Sequence, residues 1–165
     1  MSKLDITLSQ KERLLLEDLK SQEQLCIEKY TAYANQAQDV QLKQILSANG
    51  QVERSHLNSV NQLLNGQIPQ MNQQQNQGNA GQAMGNQSTN TNMNNAQNMN
   101  NFSDKSICSD LLGTEKYVSG TYDTAIFEFR DTGVRDVLNH IQKEEQKHGE
   151  AIFQYMENKG MYQVH

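Results

Sequence analysis

Glu145-Gln146-Lys147-His148 decides how the whole chain is read, because on an α-helix residues three apart share a face and aim a carboxylate and an imidazole at one point. Glu53-Arg54-Ser55-His56 repeats the two groups at the same spacing 92 residues earlier. A solitary glutamate stands 30 residues before each pair, Glu23 before Glu53 and Glu115 before Glu145. The sequence therefore holds two matched sets of two glutamates and a histidine.

Around each set the apolar residues recur at steps of three or four, the period of a buried helical face. The first stripe runs Leu16, Leu19, Glu23, Cys26, Tyr30, Tyr33 and Ala37, and the second Leu42, Ile45, Leu46, Asn49, Glu53, His56, Val60, Leu63 and Leu64. The third runs Leu111, Glu115, Val118, Tyr122, Ala125 and Phe129, and the fourth Val134, Val137, Leu138, Ile141, Glu145, His148, Ile152 and Tyr155. Glu12, Glu17 and Glu28 fall on the opposite, solvated side of the first helix, and Glu144 is likewise expected to point into solvent. His140 and His165 lie outside the pattern and read as surface or terminal residues. Cys26 and Cys108 form no C-x-x-C pair, so a zinc ribbon or a thioredoxin-like or rubredoxin-like site is excluded, and both read as small buried hydrophobes.

Local signals mark the helix ends. Ser9-Gln10-Lys11-Glu12 has the form of a capping box, Asp39 suits an N-cap, Ser103 starts the third helix with Phe102 and Ile107 as a hydrophobic staple, and Gly160 suits a C-terminal cap. A turn near residue 38 lies halfway between Glu23 and Glu53, and one at Asp131-Thr132-Gly133 lies halfway between Glu115 and Glu145. Antiparallel hairpins folded there bring each pair of carboxylates to one height. Residues 18–65 slide onto 110–157 without a gap, matching Asp18/Asp110, Leu19/Leu111, Tyr30/Tyr122, Asp39/Asp131 and Leu46/Leu138 as well as the six motif residues. This is an internal duplication: an all-α four-helix bundle built from two helical hairpins.

The expected divisions are a tail at 1–8, a first hairpin at 9–66, a linker at 67–102, a second hairpin at 103–160 and a tail at 161–165, both hairpins forming one domain. From Gln67 to Asn101 the chain is rich in Asn, Gln, Gly and Met and holds no Asp, Glu, Lys or Arg. Such a segment buries too little apolar surface to offset its ordering entropy and reads as a disordered crossover. Its Asn/Gln tracts leave two roles open, an inert linker or a self-associating one; Met71, Met84, Met93 and Met99 are too irregularly spaced for a soft-metal site. A net charge of −5 argues against nucleic acid or anionic membrane as partners. The apolar runs are far short of a membrane span and the N-terminus has no secretory pattern, which predicts no membrane insertion and a location inside the cell.

Four ionised carboxylates inside a bundle repel one another and lose hydration, whereas two divalent cations bring +4 against −4. One glutamate from each of two helices with Glu-x-x-His from the other two is a dinuclear carboxylate arrangement, suited to iron first and to manganese or zinc as alternatives. Glu53 and Glu145 are expected to bridge, Glu23 and Glu115 to be terminal, and His56 and His148 to bind one metal each. Tyr30 and Tyr122, two turns beyond the solitary glutamates on the same face, are placed to hydrogen-bond to ligands. No catalytic residue is identified.

The set Glu23, Glu53-x-x-His56, Glu115, Glu145-x-x-His148 resembles the ferritin-like superfamily. That implies an up-down-down-up bundle whose long crossover joins the second and third helices. The stretch from Asp110-Leu111-Leu112 to Tyr122-Asp123, the closing Glu145-Gln146-Lys147-His148 and the Gln/Asn/Met-rich connector resemble the coat F family of endospore-forming bacteria. This resemblance implies a structural spore coat protein, made in the mother-cell cytoplasm and deposited in the coat, with other coat proteins or its own copies as partners. A ferritin-like di-iron or di-manganese oxidase, peroxidase or metal-handling protein is the alternative, and a metal staple without turnover is compatible with the coat role. Against a rubrerythrin-like peroxidase stands the missing C-x-x-C iron domain.

Overall fold

Each helix begins on a side-chain oxygen that accepts from a backbone N–H left without a helical partner. Ser9 Oγ accepts from Glu12 N at 3.1 Å while Glu12 Oε2 accepts from Ser9 N at 2.7 Å, completing the capping box. Asp39 accepts from Gln41 N, Ser103 from Ser106 N and Asp131 from Val134 N. The computed structural model describes residues 5–70 and 103–165, and the elements that follow these caps are α1 (Gln10–Gln36), α2 (Val40–Leu64), α3 (Asp104–Glu128) and α4 (Thr132–Asn158). The second turn is 129–131, two residues earlier than Asp131-Thr132-Gly133 and centred on the midpoint between Glu115 and Glu145. Because Asp131 caps Val134, Thr132 and Gly133 are already helical. Phe102 and the methionines of the connector lie outside the described residues.

The four inward stripes meet in one core. Their apolar members, Cys26 and Cys108 included, are almost entirely buried, with Tyr33 and Ile45 partly so. Neighbour directions follow from contacts between helices. Lys11 meets Glu128, Gln22 meets Thr121 and Lys29 meets Asp110, so α1 and α3 are antiparallel. Asp39 meets Lys159, Glu53 meets His148 and His56 meets Glu144, so α2 and α4 are antiparallel too. With both hairpins antiparallel, the order is up-down-down-up.

Residues at the outer edges of the hairpins close one end of the bundle. Ile6 N donates to Gly66 O at 2.9 Å, and Ile6, Leu8 and Ile68 pack on the core. Gly66 has φ +77°, and a Cβ there would stand 3.2 Å from Ile6 O, so this corner needs glycine on both counts.

Glu12 corrects its sequence reading. It is buried rather than solvated, because besides its cap role it accepts from Arg130 N at 3.2 Å and Arg130 Nε at 3.3 Å where α3 ends. Glu17 and Glu28 are exposed as expected. Burial alone would raise the Glu12 pKa, but the Arg130 guanidinium and the two backbone donors outweigh it and hold the carboxyl at about 2 against a usual 4.5. A depressed folded pKa gives stability that is fully present above about 4.5 and lost as pH falls through about 2. Glu12→Gln keeps the shape and removes the charge. In urea melts its deficit against wild type should therefore be largest near pH 6 and close to zero at pH 2; a deficit independent of pH contradicts this assignment.

Candidate metal centre

The six predicted ligand residues converge at mid-height of the bundle. Glu23 comes from α1, Glu53 and His56 from α2, Glu115 from α3, and Glu145 and His148 from α4, and none is more than 4% exposed. They face inward because each is flanked on its stripe by buried residues, Leu19 and Cys26 around Glu23 and Leu111 and Val118 around Glu115.

Two groups of four form, Glu23, Glu53, His56 and Glu145, and Glu53, Glu115, Glu145 and His148, each offering one ligand atom per residue within 4.8 Å of the others. Glu53 and Glu145 belong to both. Glu53 places Oε2 3.0 Å from His56 Nδ1 and Oε1 3.1 Å from His148 Nδ1. Glu145 places Oε1 3.2 Å from His56 Nδ1 and Oε2 3.3 Å from His148 Nδ1. Each shared carboxylate thus divides its two oxygens between the halves. Glu23 and Glu115 each belong to a single group.

The tyrosines cross between hairpins. Tyr30 of α1 donates to Glu115 Oε1 at 2.5 Å, and Tyr122 of α3 donates to Glu23 Oε1 at 2.5 Å. Asn49, buried on α2, donates to the Tyr30 hydroxyl at 3.3 Å. Spacing placed both tyrosines beside the glutamates; the crossing depends on how the hairpins pack, which no local pattern encodes.

Glu144 corrects a second reading. Instead of pointing into solvent, its Oε2 lies 2.7 Å from His56 Nε2 and its Oε1 lies 2.8 Å from His140 Nε2. Its position one residue before Glu145 turns it toward α2, where the outer edge of the His56 ring emerges. His140 at i−4 was the available signal. The repeat puts Val52 and Ala48 at the equivalent places on α2, so the clamp belongs to one half only. A carboxylate on the outer nitrogen fixes the ring so that Nδ1 faces the cluster. Glu144→Ala should therefore weaken metal affinity at the His56 position by about 10–100-fold while sparing the His148 position, as read by competition with a chromophoric chelator; equal loss at both positions would refute the clamp.

Chemically the cluster is rich in oxygen ligands and could hold a cation. Glu23 Oε2, Glu115 Oε2 and both oxygens of Glu145 are buried without a hydrogen-bond donor, a costly state that a cation relieves. Protons supply the alternative compensation. Burial, then the charges of Glu145 and Glu53, push Glu23 well above the usual carboxylate range, and burial with Glu145 brings Glu115 to about 7. For Glu53 and Glu145 burial acts upward too, but the nearness of the His148 and His56 imidazoles, hydrogen-bonded in the case of Glu53, outweighs it and holds both low. Burial opposes charge on the imidazoles, yet the surrounding carboxylates raise His56 well above its usual value and His148 to about 11. Two charged imidazoles then balance two charged carboxylates.

Among the described residues no helix is long and apolar enough to cross a membrane. Residues 103–165, which carry α3 and α4, match the sequence profile of the Coat F domain. No curated protein and no solved structure is significantly similar to the chain.

Proposed function

With the Coat F match over α3 and α4 as premise, we propose that this chain is a structural component of the bacterial spore coat whose bundle is stapled by two divalent metal ions. The observation that carries the metal assignment is the division of Glu53 and Glu145, one oxygen of each toward either histidine. Glu23 and His56 complete one position, and Glu115 and His148 the other. Four carboxylates with two imidazoles suit iron first, then manganese or zinc. When bound, such ions supply Lewis acidity and, for iron or manganese, redox capacity; this chain's own residues hold them, orient His56 through Glu144 and fix the outer carboxylates through the tyrosines. The protein is made in the mother cell and ends in the coat, with other coat proteins or its own copies as partners. A ferritin-like fold by descent agrees with the duplication and the helix order.

A di-metal oxidase or peroxidase is the second reading, favoured by a cavity that reaches Glu115 and Glu145 from outside.

Metal analysis of protein purified without chelator tests the first reading. Two ions per chain are expected in wild type and fewer than one in Glu53→Ala/Glu145→Ala; fewer than one in wild type would sink both metal readings. Consumption of peroxide by the loaded protein separates enzyme from staple. The coat role requires the protein in extracted coat fractions, and its confinement to the soluble lysate would contradict it.

A further inference from the structure

A cavity of about 550 Å³ opens between α3 and α4 and ends on the metal centre. Leu112, Ser119, Gly149 and Phe153 form its walls, with Tyr162 stacked edge-on against Phe153 at 4.9 Å between ring centroids, and Glu115 and Glu145 lie at its inner end. Glu115 Oε2 and both Glu145 oxygens are the buried atoms without a donor described above. The cavity therefore leads from the surface to Glu115 and Glu145, whose unsatisfied oxygens are covered behind its inner wall.

The duplication explains what keeps it open. Moving 92 residues back puts Leu57 in place of Gly149 and Ile27 in place of Ser119. Where the second hairpin has a hydrogen and a hydroxymethyl, the first has two branched aliphatic groups. Glycine inside a helix is unfavourable on entropic grounds, so its presence in the middle of α4 asks for a cause. Close packing is not that cause. A Cβ at position 149 would meet Leu112 Cδ1 at 3.7 Å and Glu115 Cβ at 4.0 Å, ordinary contacts that any residue tolerates. What the missing side chain provides is open space beside Glu115.

We infer that this cavity is the route by which an external small molecule reaches the Glu115/His148 position, while the Glu23/His56 position, where the repeat puts Leu57 and Ile27 and where Glu144 clamps the histidine, is closed to it. The inference rests on the dinuclear reading above. A volume of about 550 Å³ exceeds what water needs and falls in the range of small-molecule sites. The walls are largely hydrocarbon and aromatic, and the inner end is a hard-cation site. The fitting ligand class is a small organic acid with an apolar body along Leu112 and Phe153 and one carboxylate for the metal. Lys116 and Glu150 both line the cavity and offset each other, so the positive charge a carboxylate would meet there is the metal's own.

Cobalt(II) is the probe for the centre and benzoate the probe for the route. The cobalt count is taken first, on the full chain. Wild type should hold two ions, and benzoate should then shift the visible cobalt bands saturably and more strongly than acetate at equal concentration. Gly149→Leu and Ser119→Ile, each restoring the residue of the first hairpin, should keep two cobalt ions and bind benzoate at least tenfold more weakly. If Gly149→Leu disturbs the fold, Ser119→Ile carries the decision. Unchanged wild-type bands, or wild-type benzoate affinity in the folded variants, overturns the route alone. Fewer than one cobalt per wild-type chain removes the centre, and the route with it, before benzoate is added.

Discussion

Two equivalents of ferrous or manganous ion should raise the melting temperature of chelator-treated protein by about 15–30 °C at pH 8. An ion that binds only the folded chain stabilises by roughly 4 kcal/mol at a thousand times its dissociation constant, so two contribute about 8 kcal/mol. In a domain of this size each kcal/mol moves the midpoint by roughly 2–4 °C. The shift should depend steeply on pH. Without metal the site favours the protonated forms of Glu23 and His56, both raised above their usual values, with Glu115 near its midpoint at about 7 and His148 deprotonating only near about 11. Groups whose folded pKa is raised stabilise the metal-free fold at low pH and lose that contribution as pH rises through the folded value. A cation must displace those protons, so its advantage grows with pH and should fall to a few degrees at pH 5.5. Scanning calorimetry at both pH values is the measurement. A rise below about 3 °C at pH 8, or an equal rise at both, would contradict the centre as described.

Glu53→Gln should abolish binding of both metals, whereas Glu23→Gln should remove only one. Glu53 belongs to both ligand groups and Glu23 to one. The amide keeps the volume but loses the charge and one acceptor oxygen. Removal of a direct ligand should cost more than the roughly 10–100-fold typical of outer partners. The position that keeps Glu115, Glu145 and His148 should still fill in Glu23→Gln, and its mirror variant Glu115→Gln should keep the His56 position. Isothermal titration gives the stoichiometries. If Glu23→Gln and Glu53→Gln lose the same number of ions, the shared carboxylates do not bridge.

Much of this was legible in the sequence because helices encode their buried face at a fixed period. Glu23, Glu53, Glu115 and Glu145 stand at core positions of that period, and a charged residue there needs a partner that composition alone does not supply. The duplication then made a chance pattern improbable. What stayed hidden depends on packing between helices. Glu12 reads as solvated by its position on α1, yet Arg130, 118 residues away, buries and charges it. Glu144 reads as solvated because it neighbours Glu145 on the helix surface, and only the approach of α2 brings His56 within reach. The crossing of Tyr30 and Tyr122 belongs to the same class, as does the cavity, which exists where two residues are small and their repeats are not.

That crossing has a consequence for how the molecule holds together. Each hairpin carries the hydroxyl that the other hairpin's outer glutamate requires, so neither builds a finished centre from its own residues. The covalent connection through 71–102 is then unnecessary to the centre's integrity. A chain cut in that stretch should stay a single particle with its site intact, the two pieces held by the exchanged tyrosines and the shared core.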